Sequence, residues 1–427
     1  MSAARVLTVS TAQVAGGDDP GGRLVVRALL AEGLPVASRQ LVDEDEAALE
    51  SALVAALSRP GLVVVLAAPG GSGGELVRRM IARLAGVRLV LSERFLEAME
   101  GEYAARGQAM PRRMDRLALL PQGAQVWLAA PGGEPGWMLE AEHGPIAVLP
   151  AGSARLGDLI DQHLRPLAPR VTGPGERRLV RTLRATGIAP ADAEERLGRW
   201  LGRDGEVAVS CVPVDGDVWV RLAARGASRA LAASALARVE ALVEQALGDD
   251  CYGRDDETLE FVVGRLLQER GLMLSVAESC TGGLLGHRIT GVPGSSRYFE
   301  RGVLVYSNAA KQELIRVPED LIRAHGAVSA PVAEAMVKGV AGVGRSACAL
   351  AITGVAGPDG GTPDKPVGTV FVGALSPGGT AVRRFRFSGD REAVKWQSTQ
   401  AALDMLRRAL LRADGRTEGA PESPPPC

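Results

Sequence analysis

Short apolar runs rich in β-branched residues alternate with stretches of helical spacing, and this alternation constrains the fold more than any other feature of the chain. Residues 5–10 and 62–66 are such runs, and 22–32 and 44–57 between them place apolar residues three and four apart. Strand, helix and strand in repetition bury both faces of a parallel sheet, so an α/β domain is expected. Residues 125–129 and 146–149 read as further strands, and a helical 156–165 closes the domain just before Pro166. From Gly173 the pattern changes. Residues 175–186 carry helical spacing, 206–213 and 218–222 read as strands, and 228–247 form a long Ala/Leu/Val helix, together a small α+β module. The Gly248-Asp249-Asp250 turn and the acidic Asp255-Asp256-Glu257 lead into a helix through Glu269, the carboxylates complementing its positive start. Beyond it 273–277, 302–306, 347–353 and 368–374 read as strands with helices between them, again α/β. The expected domains are therefore 1–170, 171–250 and 251–413, followed by a Pro-rich tail, 414–427, expected to be disordered.

A chain of 427 residues with 46% apolar content can build several real cores. A net charge of -1 argues against a dedicated nucleic-acid or polyanion binder, which carries a basic excess. The five cysteines, Cys211, Cys251, Cys280, Cys348 and Cys427, are scattered without a CxxC pair or a secretory signal, so a reducing cytoplasm is expected. No segment has the length of a membrane-spanning helix, and four widely spaced histidines give no basis for a His-based metal site.

Among 49 basic residues only four are lysines, Lys311, Lys338, Lys365 and Lys395, all in the last third. Arginine cannot serve as a general base in a protein, whereas a desolvated lysine can lose its proton near neutral pH. Lys311 follows Tyr306-Ser307-Asn308-Ala309-Ala310, downstream of Ala277-Glu278-Ser279-Cys280-Thr281-Gly282-Gly283. Small residues where a strand gives way to a helix running to about Ile289 let backbone N–H groups converge, which favours an oxyanion. Ser279 sits at that mouth, no histidine is spaced to form a triad with it, and Lys311 is the candidate base, with Tyr306 as relay or orienting group. The same residues also fit a plain helix cap by Ser279 and Thr281. Cys280 is a rival nucleophile, because a helix start lowers a thiol's pKa, and with Glu278 and Lys311 it would make a Cys-Glu-Lys amidase; it fits a small buried apolar residue equally. Either nucleophile beside an amine points to amide hydrolysis. Two later loops suit a polar ligand: Thr353-Gly354-Val355-Ala356-Gly357-Pro358-Asp359-Gly360-Gly361, and Phe387-Ser388-Gly389-Asp390-Arg391, whose arginine suits phosphate. A plain turn and a surface salt bridge of Arg391 with Asp390 or Glu392 account for them as well.

These motifs resemble the CinA family. AESCTGG, GSSRYFERGVLVYSNAAK, HGAVS, TGVAGPDGG, KPVGTVF and FSGDR, with the lead-in YGRDDETLE, span about residues 253–412 and are similar to the CinA C-terminal domain, the nicotinamide mononucleotide deamidase fold. The resemblance implies hydrolysis of the carboxamide of nicotinamide mononucleotide to nicotinate mononucleotide and ammonia, in pyridine nucleotide salvage. It implies Ser279 as nucleophile, Lys311 as its base and Tyr306 as an assisting group. Thr353, Gly354 and Arg391 fall in ligand-binding motifs, with Arg391 as the phosphate contact. Glu278, Thr281, Gly282, Gly283 and Asn308 are expected around the substrate, Glu278 facing the cationic pyridinium and the amides of Thr281 to Gly283 facing the oxyanion. No cofactor is expected for this step, and a cytoplasmic homodimer or larger homo-oligomer is implied.

The first two domains resemble the rest of a full-length CinA protein, whose N-terminal region has a molybdopterin-binding-like α/β fold and, in many members, metal-dependent ADP-ribose pyrophosphatase activity. Here the motifs depart. A GTEL-type turn is replaced by Ser10-Thr11-Ala12-Gln13, a GGLGPTxDD loop by Ala67-Ala68-Pro69-Gly70-Gly71-Ser72-Gly73-Gly74-Glu75, and LPGPP by Leu149-Pro150-Ala151-Gly152-Ser153. A divalent cation needs several converging oxygen ligands, and one remaining acid of the pair, Glu75, leaves the pyrophosphatase site lost or severely weakened. The alternatives to the deamidase are a non-catalytic scaffold or binding protein in competence and recombination, or a weak residual pyrophosphatase.

Overall fold

The computed structural model describes residues 3–129, 134–172, 177–202 and 205–413; the expected tail, 414–427, lies outside them. The chain divides into two units, residues 1–180 with 223–237, and residues 181–222 with 238–427.

The first unit holds β1 (Ala3–Val9), α1 (Pro20–Ala31), β2 (Val36–Val42), α2 (Glu46–Leu57), β3 (Gly61–Ala67), α3 (Gly71–Leu84), β4 (Leu89–Leu91), β5 (Leu119–Pro121), β6 (Gln125–Trp127), β7 (Gly136–Ala141) and β8 (Gly144–Pro150). Its main sheet runs β2-β1-β3-β8-β7-β6, parallel from β2 to β8 and antiparallel thereafter. Every residue of β3 is buried, as its unbroken apolar run requires of a central strand covered on both faces. Val25 and Leu29 of α1 pack on one face, and Leu53 of α2 with Met80 and Ile81 of α3 on the other. The expected stop before Pro166 is not observed. The helical path runs unbroken from Leu156 to Thr172: a wide turn at Ile160–Leu164 re-registers the backbone just before Pro166, and the helix Arg165–Thr172 continues through the proline.

The middle segment forms a sheet in the order β10-β11-β9-β12, from β9 (Arg177–Ala185), β10 (Val207–Val214), β11 (Asp217–Gly226) and β12 (Cys251–Arg254), with α4 (Arg229–Leu247) after β11. The helix expected at 175–186 is instead the strand β9 over the described residues. Leu179 and Leu183 are four apart and mimic a helix face, but Leu183 and Ala185, two apart, are the fully buried ones, and β9 is an inner strand whose pairing overrides local spacing.

The last segment holds α5 (Leu259–Glu269), β13 (Leu274–Glu278), α6 (Leu284–Thr290), β14 (Phe299–Leu304), α7 (Asn308–Ile315), α8 (Ala330–Gly344), β15 (Cys348–Gly354), β16 (Thr369–Ser376), β17 (Gly379–Arg386) and α9 (Arg391–Ala413). Its sheet runs β14-β13-β15-β16-β17; the first three strands are parallel and the last two antiparallel. Helices α5, α6 and α9 cover one face, through Leu266, Leu285, Ile289 and Leu406, while α7 and α8 cover the other, through Ile315, Val332, Met336 and Val340. The α/β class is therefore as read from the sequence, with an edge strand, β17, that was not expected. Its Arg383, Arg384 and Arg386 are exposed, so it lacks the apolar alternation that marks half-buried strands and instead shows the charges that guard an edge. The acids Asp255 and Glu257 precede α5 rather than opening it. Thr258 caps the helix by accepting from the Phe261 N–H, and Asp255 turns back to accept from the Thr182 N–H and pair with Arg181.

Leu350, at the centre of β15, is fully buried, so Leu350→Ala should cost about 2–5 kcal/mol in urea-monitored unfolding, the range for a leucine removed from a close-packed core.

Candidate active site

Strand β13 does not end at its last pairing residue. The Ser279 N–H continues the ladder to the Ile352 carbonyl of β15 at 3.1 Å, which fixes the Ser279 backbone to the sheet. The chain then turns sharply, with the Gly282 N–H returning to the Ser279 carbonyl at 3.2 Å. Gly282 and Gly283 have φ of 63° and 98°, left-handed values that a side chain would oppose. Helix α6 therefore begins at Leu284, one turn later than expected.

Glu278 explains how that turn holds. Its side chain is buried, and its carboxylate accepts the N–H groups of Gly283 at 3.1 Å, Leu285 at 3.0 Å and Gly286 at 2.8 Å. These are donors that a helix start leaves unsatisfied, and a negative charge there also complements the helix dipole. The expectations for Glu278 and Gly283 are thus corrected. The carboxylate is committed to the turn rather than to a pyridinium, and the Gly283 amide is spent on Glu278, as the Gly282 amide is on Ser279. Among the described residues no backbone carbonyl accepts the amides of Cys280 and Thr281, the Cys280 N–H turning instead to its own thiol, and these two are the amides of the turn nearest to being available to an oxyanion.

Lys311 approaches Ser279 from α7, which Ser307 caps by accepting the Ala310 N–H at 3.0 Å. The lysine is 1% exposed. Its Nζ lies 2.8 Å from the Val305 carbonyl, 3.1 Å from the Tyr306 carbonyl and 3.2 Å from Ser279 Oγ. No carboxylate forms an ion pair with it among the described residues, and burial pushes its pKa below the ordinary lysine value. A neutral amine has two N–H donors and one lone pair. Two carbonyls take the donors, which leaves the lone pair for the Ser279 hydroxyl. The other lysines are ordinary: Lys338 and Lys395 pair with Glu334 and Glu392, and Lys365 donates to the His325 carbonyl.

Cys280 is buried within the apolar core beside Leu285 and Ile289, and burial pushes its thiol up to about 12. The expected thiolate-lowering effect of a helix start does not operate, because α6 begins further on and its amides face Glu278. Of the two nucleophiles left open by the sequence, only the serine meets the amine.

The remaining residues are less concentrated. Tyr306 is 67% exposed and contributes its carbonyl, not its hydroxyl, to the amine; Asn308 is an exposed first residue of α7. Thr281 is fully buried with no partner for Oγ1 among the described residues. Thr353 is buried and donates to the Ala327 carbonyl at 2.9 Å, and Gly354 leaves no room for a Cβ, which would meet Val370 Cγ2 at 2.7 Å. Arg391 donates through Nη1 to the Gly357 carbonyl at 2.6 Å, so it fastens the two glycine-containing loops together. Sequence reasoning missed the carbonyls of Val305 and Ile352, which no side-chain pattern can announce.

Three families match successive parts of the chain: the Probable molybdopterin binding domain over residues 5–170, the Damage-inducible protein CinA KH domain over 180–253, and the CinA C-terminal domain over 256–410. A competence-damage inducible relative from Symbiobacterium thermophilum is 38% identical over 396 residues, covering 90% of this chain and 93% of its own length. The CinA-like protein of Geobacter sulfurreducens is 38% identical over 400 residues, covering 93% and 96%. The chain belongs to the CinA family. A crystal structure of a CinA superfamily protein from Klebsiella pneumoniae is 34% identical over 36% of this chain and 96% of that one, with a TM-score of 0.35.

Among the described residues no group of three or more His, Cys, Asp or Glu side chains converges to hold an ion. Glu44, just before α2, accepts from Ser72 Oγ of α3 at 3.4 Å and fills the space beside Gly73. The neighbouring cavity, lined by Ala68, Gly74 and Trp137, contains the buried guanidinium of Arg78, whose charge opposes a cation. Among the described residues no helix is long and apolar enough to cross a membrane.

The lowered pKa of Lys311 fixes the sign of a stability test. Below that value the ammonium is buried in the fold and its cost is fully present. Between it and the ordinary 10.5 the unfolded chain holds the proton and the folded one does not, so stability rises with pH. Lys311→Met should therefore stabilise the protein most at low pH, with the difference fading as pH rises toward 10.5, as read by urea unfolding across that range. Glu278→Gln should weaken hydrogen bonds to a charged acceptor, each worth about 1.5–3 kcal/mol, and lower the unfolding midpoint accordingly.

Proposed function

We propose that the protein is a nicotinamide mononucleotide amidohydrolase that releases ammonia through a Ser279 acyl-enzyme, with Lys311 as the base. The observation that carries this reading is the 3.2 Å approach of the buried Lys311 amine to Ser279 Oγ, with two backbone carbonyls holding the amine. Family membership supports the general assignment, and the substrate comes from the motif resemblance.

The neutral amine removes the Ser279 proton as Oγ attacks the carboxamide carbon. The resulting oxyanion takes the Thr281 amide and displaces the Cys280 thiol from the Cys280 amide, donors that the turn holds in place before the reaction begins. As the tetrahedral intermediate collapses, the C–N bond breaks and the Lys311 ammonium returns its proton to the departing nitrogen, which leaves as ammonia. A water molecule, deprotonated by the same amine, then attacks the ester, and nicotinate mononucleotide and free Ser279 are restored. Arg391 is the proposed phosphate contact, and Tyr306, exposed beside the amine, is proposed to assist at the substrate side. No step in this sequence requires a metal or an organic cofactor. The working unit is proposed to be a cytoplasmic homo-oligomer.

Ammonia release from nicotinamide mononucleotide by the full-length protein, without added metal, tests the reading. Ser279→Ala and Lys311→Ala should each lose at least about a thousandfold in kcat/KM, while Cys280→Ala stays within a few-fold of wild type. The acid limb of the kcat/KM profile should rise with pH through a midpoint below 10.5, because the unprotonated amine is the active form. Loss in Cys280→Ala alone would move the mechanism to a thiol. An inactive wild type, together with a cellular role that survives Ser279→Ala, would make the chain a scaffold.

A further inference from the structure

The nucleophile turn is secured from behind by a buried chain of polar groups that ends outside the α/β sandwich. Helix α6 is seven residues long, too short to hold itself by backbone bonding alone. Its first amides rest on Glu278, and its last turn carries Arg288, which is 6% exposed. The Arg288 guanidinium donates to Thr399 Oγ1 at 2.7 Å, to Gln400 Oε1 at 2.6 Å and to Glu260 Oε2 at 2.7 Å, and it lies 4.1 Å over the Trp396 ring. Gln400, on α9, then donates through Nε2 to both carboxylate oxygens of Asp217, at 2.9 Å and 2.8 Å. Asp217 is the buried first residue of β11, in the middle sheet, and it also accepts from the Tyr252 hydroxyl at 2.8 Å.

The glutamine gives this chain a direction. Its carbonyl must face the cation and its amide the carboxylate, because the flipped orientation would set donor against donor and acceptor against acceptor. Buried charges joined in this way are costly to desolvate and contribute little net stability, but they admit one arrangement of the groups they join. A simple fastening would not need this. Another link between α9 and the middle segment, Arg408, is partly exposed and holds Asp250, Asp404 and the Thr186 carbonyl with no glutamine relay between charges.

We propose that Asp217 and Gln400 are positioning residues for Ser279: they orient Arg288, Arg288 orients α6, and α6 with Glu278 sets the turn that keeps Ser279 Oγ within reach of Lys311. The middle module is thereby part of the working hydrolase. A displacement of about 1 Å at a nucleophile can cost about a hundredfold in rate, so a distant contact of this kind is visible in kcat. The inference rests on the amidohydrolase reading for its kinetic consequence, but not for its structural one.

The test uses the full-length chain with Asp217→Ala, Asp217→Asn, Gln400→Leu, the double variant Asp217→Ala/Gln400→Leu, and Arg408→Ala as a control that breaks the neighbouring ion pair. Ammonia release and hydrogen exchange of the segment 283–290 are measured side by side. Asp217→Ala and Gln400→Leu should each lower kcat by about 10–100-fold with KM within about twofold, and the double variant should be no worse than the poorer single one. Asp217→Asn, which keeps an acceptor for Gln400, should recover most of the rate. Exchange at 283–290 should accelerate in the Asp217 and Gln400 variants and stay unchanged in Arg408→Ala. Wild-type kcat in Asp217→Ala, additive losses in the double variant, or equal effects in Arg408→Ala would each overturn the proposal. Should Asp217→Ala fail to fold, Asp217→Asn and Gln400→Leu carry the same comparison. If the wild type releases no ammonia, the hydrolase reading fails by itself, and the exchange measurement still decides whether the chain from Asp217 orders α6.

Discussion

A primary amine removed from water, with no carboxylate paired to it among the described residues, is the constraint on which the C-terminal half of this protein is arranged. Charged, Lys311 would be a liability in its site; neutral, it is satisfied by two carbonyls and a hydroxyl. Val305 still donates its N–H to the Glu278 carbonyl of β13 at 2.8 Å, and the chain turns away beyond it, which turns the carbonyls of Val305 and Tyr306 to the amine. Ser307 then starts α7 just early enough to bring Lys311 back beneath them. The parallel strands β13 and β14 are what put the serine and these carbonyls side by side. An arginine could not take this place as a neutral group, because a guanidinium does not lose its proton in a protein.

How much of this was legible in the sequence depended on whether the information lay in side chains or in backbone. The central strands β3 and β15 announced themselves, since burial on both faces demands an unbroken apolar run. Ser279 and Lys311 were legible because their chemistry is specific to residue type. The edge strand β17 was not, because its outward arginines erase the alternation, and β9 was misread because Leu179 and Leu183 repeat at a helical interval. Glu278 was recognised as special but given the wrong partner. Its target is a set of backbone amides, and no spacing rule distinguishes a carboxylate that caps from one that binds. Tyr306 was read as a relay or an orienting group for the amine, and the atom that meets the amine is its backbone carbonyl, which its residue type does not announce.

The N-terminal domain shows the converse. Its strands and helices carry the apolar pattern that holds the sheet, where each fully buried Leu or Val contributes about 1.5–3 kcal/mol, so that part of the domain was plain in the sequence. The burial of Arg78 beside Gly74 was not, because a long charged side chain reads as surface until its surroundings are known.

Glu278 and Ser279 are neighbours in the chain but belong to opposite sides of the sheet: one reaches the start of α6, the other the amine of α7. Successive residues of a strand face opposite ways, so this division of labour is written into the two-residue repeat of β13. Any single-residue insertion or deletion between Leu274 and Ser279 would exchange the two faces, presenting the carboxylate to Lys311 and the hydroxyl to the helix. The loop from Val355 to Val367 has no such parity to preserve. Length variation in this protein is therefore tolerable by the residue in one connection and intolerable in another, and the difference is geometric rather than energetic.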